Sequence, residues 1–325
     1  MSELYPLLMM PYFDERPWGT RDLAPIYSRV VGKNPIGEVW LTGDDCKVAN
    51  GPLSGMTLSE LSKRFGRELV GETAPLPDRF PLLIKFLFPK EKLSVQVHPD
   101  DEAAQAMGLP NGKTECWYVA RAVAGAQIGL GLEPGTTKEE FERSIRENRA
   151  EQLINWVDLK TGDMVYVDAG TVHTIAPGSI LIETQQNSDT TFRLYDYGRP
   201  RELHIEQGMK AMREQTHAGK VARESRNGHD VLIETSRFAV ERYEMKEAKS
   251  FNQEQALGSA QILVAADGAG VIEAPGAQPV AFNRGEAVII PASLREFTVR
   301  PQWTLEMLRM RVPAEKLPPP KTTLP

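Results

Sequence analysis

The sequence predicts a mainly β chain built as two β-barrels of one kind, with a few short helices. Three observations predict it. Gly (26) and Pro (24) punctuate the chain at intervals of roughly eight to twelve residues, and the segments between them are mostly short and apolar, as in sandwiches and barrels. Helix-start signals are few. A turn–strand–turn pattern occurs twice, as Gly162-Asp-Met-Val-Tyr-Val-Asp168 and Gly285-Glu-Ala-Val-Ile-Ile-Pro291. The first copy continues Ala169-Gly-Thr-Val-His173 and the second Ala292-Ser-Leu-Arg295, without histidine. Only the first barrel is therefore expected to keep a site.

Strands are predicted over residues 81–88, 92–98, 116–120, 164–167, 179–184 and 191–195, and then over 238–245, 261–265, 287–290, 297–299 and 304–309. Thr57-Leu-Ser-Glu60 and Thr137-Lys-Glu-Glu140 fit the capping-box pattern, each followed by apolar residues at helical spacing. A third helix is expected over 205–213. The polar stretch 214–230 holds the expected boundary, which divides the chain into domains 1–225 and 226–325. The proline-rich end from Leu317 to Pro325 is expected to lie extended on the surface.

Composition narrows the function. With 325 residues, 41% of them hydrophobic and 25% charged, the chain is long enough for about two domains with a sizeable core. The net charge of −6 disfavours nucleic acid or an anionic membrane surface as partner. No apolar run reaches the ~18 residues of a membrane helix. The apolar stretch from Leu4 to Met10 lacks the flanks of a signal peptide. Cys46 and Cys116 form no CxxC pair and read as reduced, buried thiols of a cytoplasmic protein.

The segment Lys92-Leu-Ser-Val-Gln-Val-His98 is the most informative. Along a strand Leu93, Val95 and Val97 share one face, and Ser94, Gln96 and His98 the other. The next strand carries Lys113, Glu115, Trp117 and Val119 on one face, so Glu115 enters an apolar strand. A buried carboxylate there is costly unless paired or bound to a metal. His173 follows a Gly-Thr-Val turn. Two imidazoles and a carboxylate, with the Gln96 amide, form a donor set familiar from catalytic zinc sites. Taken singly, Glu115 could pair with Lys113, and His173 could be a satisfied core histidine. Downstream, Thr191, Arg193 and Tyr195 share a face. The fixed charge of Arg193 suits an oxyanion or a phosphate, or an ion pair with Asp189 or Asp196.

These residues resemble the type I mannose-6-phosphate isomerases. The resemblance rests on Lys92-Leu-Ser-Val-Gln-Val-His-Pro-Asp-Asp101, Gly112-Lys-Thr-Glu-Cys-Trp-Tyr118 and Gly170-Thr-Val-His173, supported by Pro17-Trp-Gly19, Ile36-Gly-Glu-Val-Trp40 and Pro81-Leu-Leu-Ile-Lys-Phe86. It covers about residues 10 to 210. It implies two cupin-type jelly-roll barrels, the second degenerate. It implies one Zn2+ per chain, bound by Gln96, His98, Glu115 and His173. It implies Arg193 as the essential arginine, with Ser94, Lys113, Glu183 and Asp189 around a bound sugar phosphate. Two departures stand out: Asp168 replaces a common proline, and Phe88 replaces a frequent aspartate, with the pocket rim as the expected place of any effect.

The implied reaction interconverts mannose 6-phosphate and fructose 6-phosphate through an enediol(ate). Glu183, Asp189 or a zinc-bound water is the candidate base, and Lys113 and Ser94 suit the phosphate. A cupin isomerase of another sugar, a metal cupin oxygenase and a non-catalytic sugar-binding module are the alternatives. The Gln-x-His pattern argues against the redox cupins. A monomer or homodimer is expected, with a small-molecule sugar phosphate as partner.

Overall fold

The computed structural model of the chain describes residues 3–28, 32–253 and 258–323. The chain is mainly β, with few helices, and its strands lie in three sheets. Two of them belong largely to the N-terminal half. A five-stranded sheet runs in the order Phe192–Tyr195, Val95–Val97, His173–Ile175, Gln127–Leu132 and Ile154–Asp158. An eight-stranded sheet begins Tyr12–Thr20, Ile36–Trp40, Leu82–Leu87, Ser179–Gln186, Glu115–Ala122 and Met164–Val167. Apolar side chains of both sheets, among them Leu87, Trp117, Leu181, Ile128 and Ile175, meet in one cluster. The expected barrel is thus a jelly roll of two packed sheets rather than a closed hydrogen-bonded cylinder.

The third sheet has nine strands and belongs to the C-terminal half. Its interior is filled by apolar groups, including Phe251, Leu263, Phe282, Val288, Phe297 and Met307. The two ends of the chain cross over. Leu7 and Leu8 pair with Ile289 and Val288 of this sheet. Thr322 and Thr323 pair with Val221 and Lys220 in the eight-stranded one. Cys46 and Cys116 are free and buried, as expected.

Local chemistry accounts for most elements. Thr57 caps the helix Leu58–Phe65 with a complete capping box: Glu60 N donates to Thr57 Oγ1 at 3.2 Å and Thr57 N donates to Glu60 Oε2 at 2.8 Å. The helix buries Leu58 and Leu61. Thr137 caps Lys138–Arg146 and turns Phe141 and Ile145 inward. The third expected helix is Ile205–Ala211. A helix at Asp101–Ala106 was not expected. Asp100, which reads as part of a strand stop, is its N-cap and accepts from Ala103 N at 2.8 Å.

Two differences concern strands. Of the segment 92–98 only Val95–Val97 pairs as strand. In the C-terminal half, Gln261–Glu273 and Glu296–Arg311 are long continuous strands, where Gly268 and Pro301 suggest breaks. The partners absorb these residues at register shifts around Ala265/Asp267 and Gly268/Gly270. Gly268 has φ +79° there, and a Cβ on it would lie 2.0 Å from the Thr304 carbonyl oxygen. Only glycine fits such a bulge.

Candidate active site

The two N-terminal sheets present polar side chains to the space between them. From the five-stranded sheet come Gln96, His98, His173 and Arg193. Gln96 lies opposite His173 on one neighbour and opposite Arg193 on the other. From the eight-stranded sheet come Lys85, Glu115 and Glu183, with Glu183 opposite both Lys85 and Trp117. Two glycines make the meeting possible. A Cβ at Gly112 would stand 2.5 Å from the Asp100 carbonyl carbon, so glycine lets the approach to Glu115 pass close behind His98. Gly170, at φ +90°, forms the turn before His173 and donates its N–H to the His98 carbonyl at 2.9 Å.

His98, Glu115 and His173 are buried, and their donor atoms lie within 4.8 Å of one another. His98 Nε2 is 3.6 Å from Glu115 Oε2, and His173 Nε2 is 3.4 Å from Glu115 Oε1. His98 Nδ1 bonds the Thr190 carbonyl at 2.8 Å and His173 Nδ1 the Thr171 carbonyl at 2.9 Å. A backbone carbonyl can only accept, so both Nδ1 atoms carry the proton and both Nε2 lone pairs face inward. Burial above all holds both imidazoles neutral, His173 lowered to about 4 and His98 well below its ordinary value. Both Glu115 oxygens are buried without a hydrogen-bond partner, although Lys113 Nζ makes an ion-pair contact with Oε2 at 3.1 Å. Two inward lone pairs and an unsatisfied buried carboxylate are what a bound cation requires. The Gln96 amide completes the set, its Nε2 3.2 Å from His173 Nε2. Rotating that amide by a half-turn presents its oxygen to the same point.

Beyond Gln96 and Lys113, which touch the cluster, lies a cavity of about 180 Å³, lined in part by Ser94, Gln96, Lys113, Glu183, Asp189 and Arg193. Ser94 Oγ donates to Gln96 Oε1 at 3.1 Å. Lys113 is buried, its Nζ 3.2 Å from His98 Nε2. Glu183 is buried and accepts from Trp117 Nε1 at 2.9 Å. Burial first, and then the Glu115 charge, raise it to about 7; a cation at Glu115 would offset the second cause and leave the first. Asp189 Oδ1 lies 3.2 Å from Lys85 Nζ. Arg193 makes no ion pair among the described residues. It donates to the Glu202 carbonyl at 2.8 Å and keeps its Nε unpartnered. Asp196 is instead taken by Arg199 and Arg201. The structural ion pair open to Arg193 in the sequence is therefore not the one formed.

The same cavity is lined by Arg16, Trp18, Glu38 and Lys85, which sequence reasoning did not assign to the site. One signal was available: Lys85 sits in the wholly apolar run Leu82–Leu87 and is only 2% exposed. Phe88, expected at the pocket rim, points the other way and stacks on Phe86 in the neighbouring core (centroids 6.1 Å apart). Asp168 serves its turn as acceptor for Thr171 Oγ1 at 2.9 Å and for His217 N at 3.1 Å.

Comparison with known proteins places the chain in a family. Residues 10–120 match the model of the phosphomannose isomerase type I catalytic domain, and residues 229–309 that of the mannose-6-phosphate isomerase cupin domain. The chain is 35% identical over 307 residues to the mannose-6-phosphate isomerase ManA of Bacillus subtilis, covering 90% of this chain and 95% of that protein. It is 38% identical over 217 residues to the mannose-6-phosphate isomerase of Streptococcus mutans, covering 64% and 67%. The crystal structure of the mannose 6-phosphate isomerase from Bacillus subtilis superposes with a TM-score of 0.84 at 32% identity, covering 94% of this chain and 99% of that one. A phosphomannose isomerase variant from Salmonella typhimurium, 16% identical with a TM-score of 0.79, shares the fold.

Proposed function

This chain belongs to the type I phosphomannose isomerases, and from that membership we propose that it interconverts mannose 6-phosphate and fructose 6-phosphate in the cavity between its two N-terminal sheets. The observation that carries the reading is the cluster of His98, Glu115 and His173 directly behind Gln96 and Lys113, which line one cavity with Glu183 and Arg193. We propose that these three ligands and Gln96 hold one zinc, which supplies Lewis-acid polarisation of a sugar oxygen when bound.

The chain's own groups divide the remaining work. Glu183 is the proposed proton carrier between C2 and C1. Its burial raises it above the usual carboxylate range, which suits a carboxyl that both takes and returns a proton. Trp117 Nε1 orients it. Asp189, paired with Lys85 and close to Arg16, is proposed to receive sugar hydroxyls. Arg193 presents an unpartnered Nε–H as a preorganised donor to the oxygen that gains charge in the enediolate-like state. Lys113 stands against His98 and Glu115, so we propose it for the reacting end of the sugar rather than for the phosphate. Ser94 remains the hydroxyl donor of the wall. We divide the chain at 225/226, the first part carrying the chemistry.

A coupled isomerase assay with mannose 6-phosphate, glucose 6-phosphate and unphosphorylated mannose tests the reading. Turnover is expected with mannose 6-phosphate, lost on chelation and restored by zinc. Equal turnover of glucose 6-phosphate would refute the substrate assignment, and full activity after rigorous metal removal would refute the zinc.

A further inference from the structure

The cavity wall holds a buried ion cluster to which the reaction assigns no task. Glu38, on the strand Ile36–Trp40, has a side chain only 12% exposed. It accepts from Trp40 Nε1 at 2.7 Å and from Arg16 Nε at 3.1 Å, and it pairs with Lys85 Nζ at 3.1 Å. The Lys85 ammonium, 2% exposed, also lies 3.2 Å from Asp189 Oδ1 and 3.8 Å from Glu183 Oε2, and 4.5 Å from the centre of the Trp40 ring. Buried ion networks are a weak source of stability, since well-packed apolar groups often serve as well. A cluster of this kind that ends on two carboxylates facing a cavity has a better account in what it positions.

We propose that Glu38 is a positioning residue for the isomerisation: its carboxylate fixes the Lys85 ammonium between Glu183 and Asp189, and so sets the spacing of the two carboxylates that face the sugar. This rests on the function proposed above. Lysine is a point charge on a flexible stem with three donors, so its place is decided by its acceptors. All three line the cavity, but Glu38 is also held in place by Trp40 Nε1 and Arg16 Nε, and it keeps the ammonium from recentring on the other two.

The test is steady-state kinetics with mannose 6-phosphate on zinc-loaded wild type, Glu38→Gln, Lys85→Met and the double variant, with zinc content and thermal melts alongside. Glu38→Gln keeps the shape and one acceptor oxygen but removes the charge that holds Lys85. Its kcat should fall about tenfold to a hundredfold, the order seen when reacting groups are slightly misplaced, with KM within about twofold and zinc retained. If Glu38 acts through Lys85, the double variant is no slower than Lys85→Met. Multiplying losses would overturn the proposal, as would a folded Glu38→Gln with wild-type kcat. Should Lys85→Met not fold, Glu38→Asp decides, because it keeps the charge and shifts its position: lowered kcat supports positioning, and wild-type kcat overturns it. A wild-type protein that does not turn over mannose 6-phosphate would sink the functional reading and this inference together, whereas an unaffected Glu38→Gln beside an active wild type sinks this inference alone.

Discussion

At the scale of single residues, the site depends on where protons and charges are held. The Nδ1 bonds of His98 and His173 to backbone carbonyls orient both rings before any ligand arrives. Arg193 has no carboxylate partner among the described residues and keeps its Nε unpartnered. If its charge acts on the enediolate-like state, Arg193→Ala should lower kcat and kcat/KM together by ~10²–10³, with zinc content and melting temperature unchanged. Arg193→Lys should recover little, because an ammonium lacks the planar fork. A variant with near wild-type kcat would return this arginine to a structural role. Lys113→Ala offers a contrast. From its place beside His98 and Glu115, it should slow mannose and mannose 6-phosphate alike; a loss confined to the phosphorylated sugar would assign Lys113 to the phosphate.

At the scale of elements, three strands of the eight-stranded sheet carry the Glu38, Lys85 and Glu183 charges, and the strand Glu115–Ala122 carries the buried Glu115. Ile36–Trp40 brings Glu38, Leu82–Leu87 brings Lys85, and Ser179–Gln186 brings Glu183. The loop after the last of these brings Asp189, and through the Thr190 carbonyl it holds His98. Asn187 anchors that loop by donating to Asp44 and to the Phe80 carbonyl, each at 2.8 Å. Burial pushes the Glu38 carboxyl up, but Lys85 and Arg16 outweigh it and hold it at about 2, below its ordinary 4.5. The folded value lies below the unfolded one. Its stabilisation is therefore fully present above about 4.5 and lost as pH falls through about 2. In melts from pH 7 downward, the deficit of Glu38→Gln relative to wild type should be constant above about pH 5 and shrink toward pH 2 to 3. A deficit that does not change with pH would show that the ion pair contributes nothing to acid stability.

At the scale of the molecule, the two halves are stitched together. The first strand lies in the far sheet and the last in the near one. Ala260 N and Ala292 N donate to the carbonyls of Val70 and Leu69, and Tyr118 donates to Glu306 at 2.5 Å. Yet the interiors differ. The N-terminal sheets enclose a histidine and carboxylate cluster, whereas the C-terminal sheet encloses aliphatic and aromatic groups around a Glu241–Arg309 ion pair. Arg295, near the position of the missing histidine, is exposed. Metal analysis should find about one zinc per chain. His98→Ala and His173→Ala should each lose most of it, and Arg295→Ala none. A second bound metal retained in the His98→Ala variant would contradict an inert C-terminal half.

Much of this could be read from residues alone, because the information is local. Alternation along 92–98 places Ser94, Gln96 and His98 on one face, and the Thr57 and Thr137 caps start helices where their side chains satisfy the first free N–H groups. The donor set His98, Glu115 and His173 stood out because charged and imidazole groups interrupt apolar strands. Other features were decided by tertiary structure. The Asp101–Ala106 helix has its local signal in the Asp100 cap, whereas the bulges that carry two long strands past Gly268 and Pro301, and the turn of Phe88 away from the cavity toward Tyr27, depend on neighbours far along the chain. So does the second layer of the site. Arg16, Glu38 and Lys85 lie on three separate strands, and only the pairing of those strands brings the Arg16 and Lys85 charges within 4 Å of the Glu38 carboxylate. Sequence specifies which groups must find a partner, since a buried charge without one is too costly to keep. Which partner each one finds is set by register and sheet order, and these emerge only when the strands have paired.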